Sequence, residues 1–300
     1  MTDHLLDIRG VIKRYNGTTA VDGISLVVPS GSIFGLLGPN GAGKTSLIRM
    51  ITQITMPDSG SIFLHGRALR EEDTSRMGYM PEERGLYKQM KIGEHLIYLG
   101  ELRGLSRKDA THRVREWFEK FDIAGWWNKK VDQLSKGMQQ KVQFIATVLH
   151  DPELLILDEP FSGLDPINAE LITQEIFRMK TSGKTVIFST HRMEQVEQIC
   201  DSIALIHHGR IILDGDVASL KHRFKKNLYH VTFDGALPVL PDPWSAVETG
   251  DGSATIHATD VSPNTVLRFL IQHVEVHGFT EVLPTLHEIF IDVVTESGHA

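Results

Sequence analysis

Gly38-Pro39-Asn40-Gly41-Ala42-Gly43-Lys44-Thr45 is the stretch that decides the fold. It fits the pattern G-x-x-x-x-G-K-[ST], in which glycines let the backbone wrap a phosphate chain and point N–H groups inward. Its flanks supply the context that this pattern needs. Ser32 to Leu37 reads as a buried strand, and Thr45 to Ile54 has helical apolar spacing through Leu47, Ile48 and Ile51. A helix there adds its positive terminus to the loop. Lys44 has the reach for the β and γ phosphates, and the Thr45 hydroxyl suits Mg2+. Gly38, Pro39, Asn40, Gly41, Ala42, Gly43, Lys44 and Thr45, with the adjoining Ser46, are the candidate nucleotide contacts. The loop alone does not separate ATP from GTP.

Downstream, Leu154-Leu155-Ile156-Leu157 is continuously apolar, as in a strand covered on both faces, and it ends in Asp158-Glu159-Pro160. Carboxylates at the end of a parallel strand sit where α/β folds bind ligands. Asp158 suits Mg2+ beside Thr45, and Glu159 suits polarisation of an attacking water near the γ phosphate.

The rest of the chain sorts around these two motifs. Leu5–Ile8, 23–28 and 61–64 are expected strands, with a turn at Pro29-Ser30-Gly31. Residues 92–103 and 107–121 are expected helices, the second capped by Ser106 with Asp109 at its third position. Trp117, Phe118, Phe121, Trp126 and Trp127 are expected to bury this piece. Helices at 139–149, 167–180 and 192–199 alternate with strands at 154–157, 185–189 and 202–206, which predicts an α/β sandwich. From about 220 the character changes. A basic run (Lys221, Arg223, Lys225, Lys226) reads as a solvated hinge, and Pro238, Pro241 and Pro243 follow. Strands at 228–234, 254–258 and 274–279 with helices at 263–272 and 284–294 predict a small α+β domain.

Composition excludes more than it names. The 300 residues are 41% hydrophobic and 23% charged, too apolar for wholesale disorder. The net charge of −7 gives no general polyanion-binding surface, so no nucleic-acid partner is expected. A single cysteine, Cys200, excludes an internal disulfide and a cysteine-rich metal site; its setting suggests core packing. His207-His208 before Gly209 reads as a surface turn rather than a metal site. No apolar run reaches membrane-spanning length, and the start Met1-Thr2-Asp3-His4 is unlike a signal peptide.

Leu134-Ser135-Lys136-Gly137-Met138-Gln139-Gln140, taken with the loop and the carboxylate pair, resembles the signature segment of the ATP-binding-cassette (ABC) ATPases. The resemblance covers residues 5 to about 220 in the expected order. It makes 38–45 and Asp158-Glu159 similar to the Walker A and Walker B elements, Ser162-Gly163-Leu164-Asp165 to the D-loop, and His191 after Ser189-Thr190 to the switch histidine. Tyr15 falls where the family stacks an aromatic ring on adenine, which favours ATP. The resemblance implies a P-loop NTPase of two lobes over 1–220. It also implies an inserted helical subdomain at about 93–145 and an accessory domain at 221–300. It further implies a head-to-tail dimer, as a homodimer or with a paired cassette subunit. Ser135, Gly137 and Asp165 of one subunit would then complete the ATP site of the other. The implied role is the ATP-hydrolysing motor of a separately encoded integral membrane permease, peripheral on the cytoplasmic face of the cell membrane.

Two segments depart from the family pattern. In Met80-Pro81-Glu82-Glu83-Arg84-Gly85-Leu86-Tyr87, Glu82 stands where a glutamine is usual, near Mg2+ or the attacking water. An acid still meets the metal but loses the amide donor. In the signature segment, Lys136 and Met138 replace glycine and glutamine; Lys136 either brings a cation to ATP or faces solvent. Both versions resemble export-type cassettes, including the sodium-efflux and antibiotic-export branches. An importer motor, a soluble cassette acting on ribosomes or nucleic acid, and a degenerate structural cassette are the competing readings.

Overall fold

In the computed structural model, residues 4–259 and 261–296 are described. The chain divides into two compact units, Met1–Gly215 and Asp216–Ala300.

The first unit is built on two sheets. One is four-stranded, in the order Thr18–Pro29, His4–Tyr15, Ser59–Leu64, Arg67–Ala68. The expected short strands at 5–8 and 23–28 are the start of one twelve-residue strand and the second half of another. Asn16-Gly17, both at positive φ, folds them into a hairpin. This is the residue pair that a tight hairpin turn selects.

The other sheet has six strands, in the order Arg210–Asp216, Ser202–His207, Ile33–Leu37, Thr185–Thr190, Leu154–Asp158, Met77–Met80. Ile33–Leu37, Leu154–Asp158 and Thr185–Thr190 are buried at every position, which explains the apolar stretches Leu154–Leu157 and Val186–Phe188 within them. Strand Met77–Met80 escaped sequence reading because it is only four residues long and begins at the end of a 3-10 turn.

The loop helix is Lys44–Ile51, shorter than the expected 45–54. Gln53 turns left-handed at φ 58, and the Ile54 and Thr55 amides fold back onto the Arg49 carbonyl, which closes the helix.

Three helices, Ile92–Leu102, Arg107–Lys120 and Lys136–Val148, lie between strands Met77–Met80 and Leu154–Asp158. Ser106 caps the second by accepting from the Asp109 amide at 3.1 Å. Phe118 and Phe121 are buried, and the tryptophans are half-buried. Trp117 and Phe121 pack on Phe144, and Phe118 packs edge-on against Trp127. Trp127 also covers Gly93, where a Cβ would lie 2.6 Å from the indole.

His95, inside helix Ile92–Leu102, is fully buried, and neither ring nitrogen has a hydrogen-bond partner. Burial pushes it down to about 4. Between its ordinary value near 6.5 and 4, the unfolded chain binds a proton that the native chain refuses, so stability falls as pH drops. His150, likewise pushed down mainly by burial, to about 4, adds a second contribution of the same sign. His95→Leu should therefore halve the loss of melting temperature between pH 7 and pH 5. The effect is on the order of 1–2 kcal/mol. Melting curves at the two pH values check it; an unchanged slope would show that His95 is not a source of the acid sensitivity.

The second unit begins with helix Val217–Arg223, capped by Asp216. The basic run is not simply a solvated hinge. Lys221 and Arg223 end this helix, where cations meet its negative end. Lys225 and Lys226 pair with Glu281 and Asp292 at 3.3 and 2.9 Å. A four-stranded antiparallel sheet follows, in the order Ser245–Gly250, Ser253–His257, Leu228–Asp234, Glu275–Val282. Helices Pro263–Ile271 and Leu286–Glu296 complete the unit. Its core is Tyr229, Val231, Phe233, Ala254, Ile256, Val266 and Leu270. Strand Ser245–Gly250 was not expected: all six residues are exposed, so no apolar alternation marks it.

Candidate nucleotide site

Strand register gathers the motifs. Leu37 aligns with Thr190, and Asp158 aligns with Ser189, in parallel pairs. The phosphate loop, Thr190-His191 and Asp158-Glu159 thus leave the same edge of one sheet.

The loop needs its glycines at particular positions. At Gly38 (φ 146) a Cβ would lie 2.1 Å from the Ile206 carbonyl, and at Gly43 (φ 112) 2.3 Å from the Ala20 carbonyl. Lys44 is buried and folds back over the loop, donating from Nζ to the Gly38 and Pro39 carbonyls at 2.7 and 3.1 Å. Burial lowers its pKa; Glu159, Asp158 and Glu82 pull the other way. A cavity of about 290 Å³ opens here, lined by Ala20, Asn40 to Ser46, Glu82, Asp158 and Glu159.

The two adjacent carboxylates have different settings. Asp158 is 2% exposed and accepts from the Thr45 hydroxyl at 3.2 Å. Burial raises its pKa, against the pull of Thr45 and Lys44. Glu159 is half-buried and sits at φ 50, a strained region for a non-glycine residue. Its amide donates to the Ser189 carbonyl. Its carboxylate accepts from Thr190 Oγ1 at 3.0 Å and from the His191 amide at 2.9 Å, with His191 Nδ1 at 2.6 Å. A ring nitrogen so close to a carboxylate carries the proton, so His191 holds Glu159 through Nδ1–H.

The remaining candidates lie elsewhere. Tyr15 ends strand His4–Tyr15, is 38% exposed and does not line the cavity; Lys13 Nζ stands 5.6 Å from its ring centre. Ser135 caps helix Lys136–Val148 by accepting from the Met138 amide, and Gly137 packs under the Gly163 carbonyl. Asp165 caps helix Pro166–Thr181, accepting from the Asn168 amide at 3.0 Å. Ser135, Lys136 and Asp165 are exposed and are not part of the cavity lining of their own chain.

Cys200 is buried, and burial pushes its thiol up. His208-Gly209 forms a turn at positive φ, with the His207 and His208 rings 4.1 Å apart.

Sequence reading missed two glutamines on the inward face of helix Lys136–Val148. Gln140 is 1% exposed and donates to the Pro160 carbonyl at 2.9 Å, beside the Glu159 carbonyl. Gln143 is 4% exposed and donates to the Pro81 carbonyl at 2.7 Å and the Glu83 carbonyl at 3.4 Å. The available signal was two amides spaced i, i+3 on one helix face, the second of them between Val142 and Phe144.

Comparison with known proteins agrees with this geometry. The ABC transporter family model matches residues 21–162, and that of the DrrA1-3-like ATP-binding protein C-terminal domain matches 215–294. The uncharacterised ABC transporter ATP-binding protein YhaQ of Bacillus subtilis is 41% identical, over 97% of this chain and 98% of its own length. The chain belongs to the ABC transporter ATP-binding family. A second member, the daunorubicin/doxorubicin resistance ATP-binding protein DrrA of Streptomyces peucetius, is 31% identical over 95% of this chain and 91% of its own. A solved ABC transporter ATP-binding subunit superposes with a TM-score of 0.68 at 30% identity, covering 73% of this chain and 93% of that one. This ABC protein is thus an ATP-binding, ATP-hydrolysing transporter subunit. Such subunits generally work as dimers with a separate membrane permease. No helix among the described residues of this ABC subunit is long and apolar enough to cross a membrane.

Proposed function

We propose that two such subunits close head to tail around two ATP molecules and drive an export permease from the cytoplasmic face of the membrane. One observation carries this reading. Lys44, Thr45, Glu82, Asp158 and Glu159 line a single open cavity, whereas Ser135, Gly137 and Asp165 stand outside it. A second subunit would bring its signature helix to the phosphates. The Ser135 hydroxyl and the helix N-terminus would then donate to the γ phosphate. Bound ATP is thereby part of what holds the dimer closed, and hydrolysis releases it.

Within the cavity, Lys44 and the loop amides orient the phosphates. Glu159 takes the proton of the attacking water, held in place by Thr190 and His191. With Nδ1–H held by Glu159, His191 would donate to the γ phosphate only through an Nε2 that carries a proton as well. Tyr15 stacks on adenine. The donors suit Mg2+: Thr45, Asp158 and Glu82 present hard oxygens only. No group of three or more His, Cys, Asp or Glu among the described residues is gathered as a metal cage. Such an ion would be held by one or two of these carboxylates together with substrate phosphates. When bound it would neutralise phosphate charge, and its presence would keep the buried Asp158 ionised.

The permease contact is assigned to a groove of about 610 Å³ lined by Tyr79, Pro81, Leu86, Leu99, Leu102 and His150, among others. At or near it, Ile54, Tyr87, Tyr98 and Leu102 are exposed apolar side chains of a kind that marks interaction surfaces. Export is supported by the Glu82 and signature segments and by the likeness to a drug-resistance subunit. Gentle detergent pull-down tests the reading. A multi-span permease should co-purify and raise the ATPase rate, and inverted vesicles carrying the pair should take up substrate with ATP. Ribosomes in its place, or uptake dependent on a solute-binding protein, would overturn it.

A further inference from the structure

The geometry assigns Gln143 as the residue that positions Glu82 in the nucleotide cavity. Gln143 stands on helix Lys136–Val148, about one turn beyond the signature segment. Its amide nitrogen donates to the carbonyls of Pro81 and Glu83, the residues on either side of Glu82. Both ends of the peptide that carries the carboxylate are therefore gripped by one buried side chain. Glu82 itself is exposed and lines the cavity together with Thr45, Asp158 and Glu159. Its own backbone lies in no strand or helix, so no sheet ladder or helical bond fixes it. The clamp supplies that restraint.

The opposite end of the same side chain sharpens the point. Gln143 Oε1 is buried without a hydrogen-bond partner, and the residue lines the apolar groove beside Pro81 and Leu86. A buried amide that leaves its acceptor unpaired is costly, so its donor end is what the site retains. One turn earlier, Gln140 holds the Pro160 carbonyl next to Glu159. A single helix thus grips the loops of both non-aspartate carboxylates of the cavity. Movement of that helix reaches Glu82 through Gln143.

The inference rests on the reading of Glu82 as a Mg2+-facing carboxylate, and its test separates the two. The measurement is equilibrium binding of a fluorescent ATP analogue as Mg2+ is titrated, with the full-length chain. Glu82→Ala should raise the half-saturating Mg2+ concentration. Gln143→Met keeps length and apolar fit but removes the donors. It should raise that concentration about tenfold, the scale of losing hydrogen bonds that orient a metal ligand. The double variant should match Glu82→Ala alone, because Gln143 acts only through Glu82. Melting temperatures identify any variant that fails to fold, and Gln143→Leu then replaces Gln143→Met. No shift in Glu82→Ala overturns the reading of Glu82 and the inference with it. A shift in Glu82→Ala with none in Gln143→Met, or additive shifts in the double variant, overturns the role of Gln143 alone.

Discussion

Glu159→Gln keeps ATP bound and lowers turnover by about a thousandfold, within the range that a positioned general base contributes. The substitution preserves shape. A glutamine carbonyl oxygen still accepts from the His191 amide and Nδ1, contacts now at 2.9 and 2.6 Å from Glu159. It cannot take a proton from water. The loop bonds to Ser189 and Gln140 run through the backbone and survive. Binding and chemistry therefore separate. Phosphate release measured beside equilibrium nucleotide binding checks this. Turnover within tenfold of the parent would remove Glu159 from the chemistry, and lost binding would mean that its side chain instead shapes the loop.

Lys44→Ala weakens ATP binding by about a hundredfold, the scale of one or two charge-assisted hydrogen bonds to phosphate. The Lys44 ammonium is buried, yet it is satisfied by two loop carbonyls and faces three carboxylates. It is thus held in place before any phosphate arrives. Without it, a tetraanionic nucleotide meets Glu82, Asp158 and Glu159 with no cation among the described residues that line the cavity. Titration calorimetry measures the change. Unaltered affinity would leave the loop amides as the sole phosphate contacts.

How much of this was readable varied with the physics of each part. The loop and the carboxylate pair were legible because buried parallel strands leave unbroken apolar runs, and the turns beyond them carry the polar residues of the cavity. Glu82 was reached through resemblance to a family pattern, not through composition. The hairpin at Asn16-Gly17 had a local signal that was passed over, because the strands around it carry register shifts that blur their alternation. Strands Met77–Met80 and Ser245–Gly250 had none: the first is too short, the second wholly exposed. Gln140 and Gln143 were hidden for a different reason. Their partners are carbonyls of residues 20 and about 60 positions away, and a backbone acceptor has no sequence signature. The same holds for the Ala20 carbonyl against which Gly43 is packed.

The division of the site remains the central claim: one chain supplies the phosphate cavity, and a second copy supplies Ser135 and Gly137. Light scattering on the purified Glu159→Gln variant, coupled to size exclusion, tests it directly. With saturating ATP and Mg2+ the mass should double from 33.6 kDa, and with ADP it should return to the single-chain value. A single-chain mass at saturating ATP, with nucleotide shown to be bound, would contradict it.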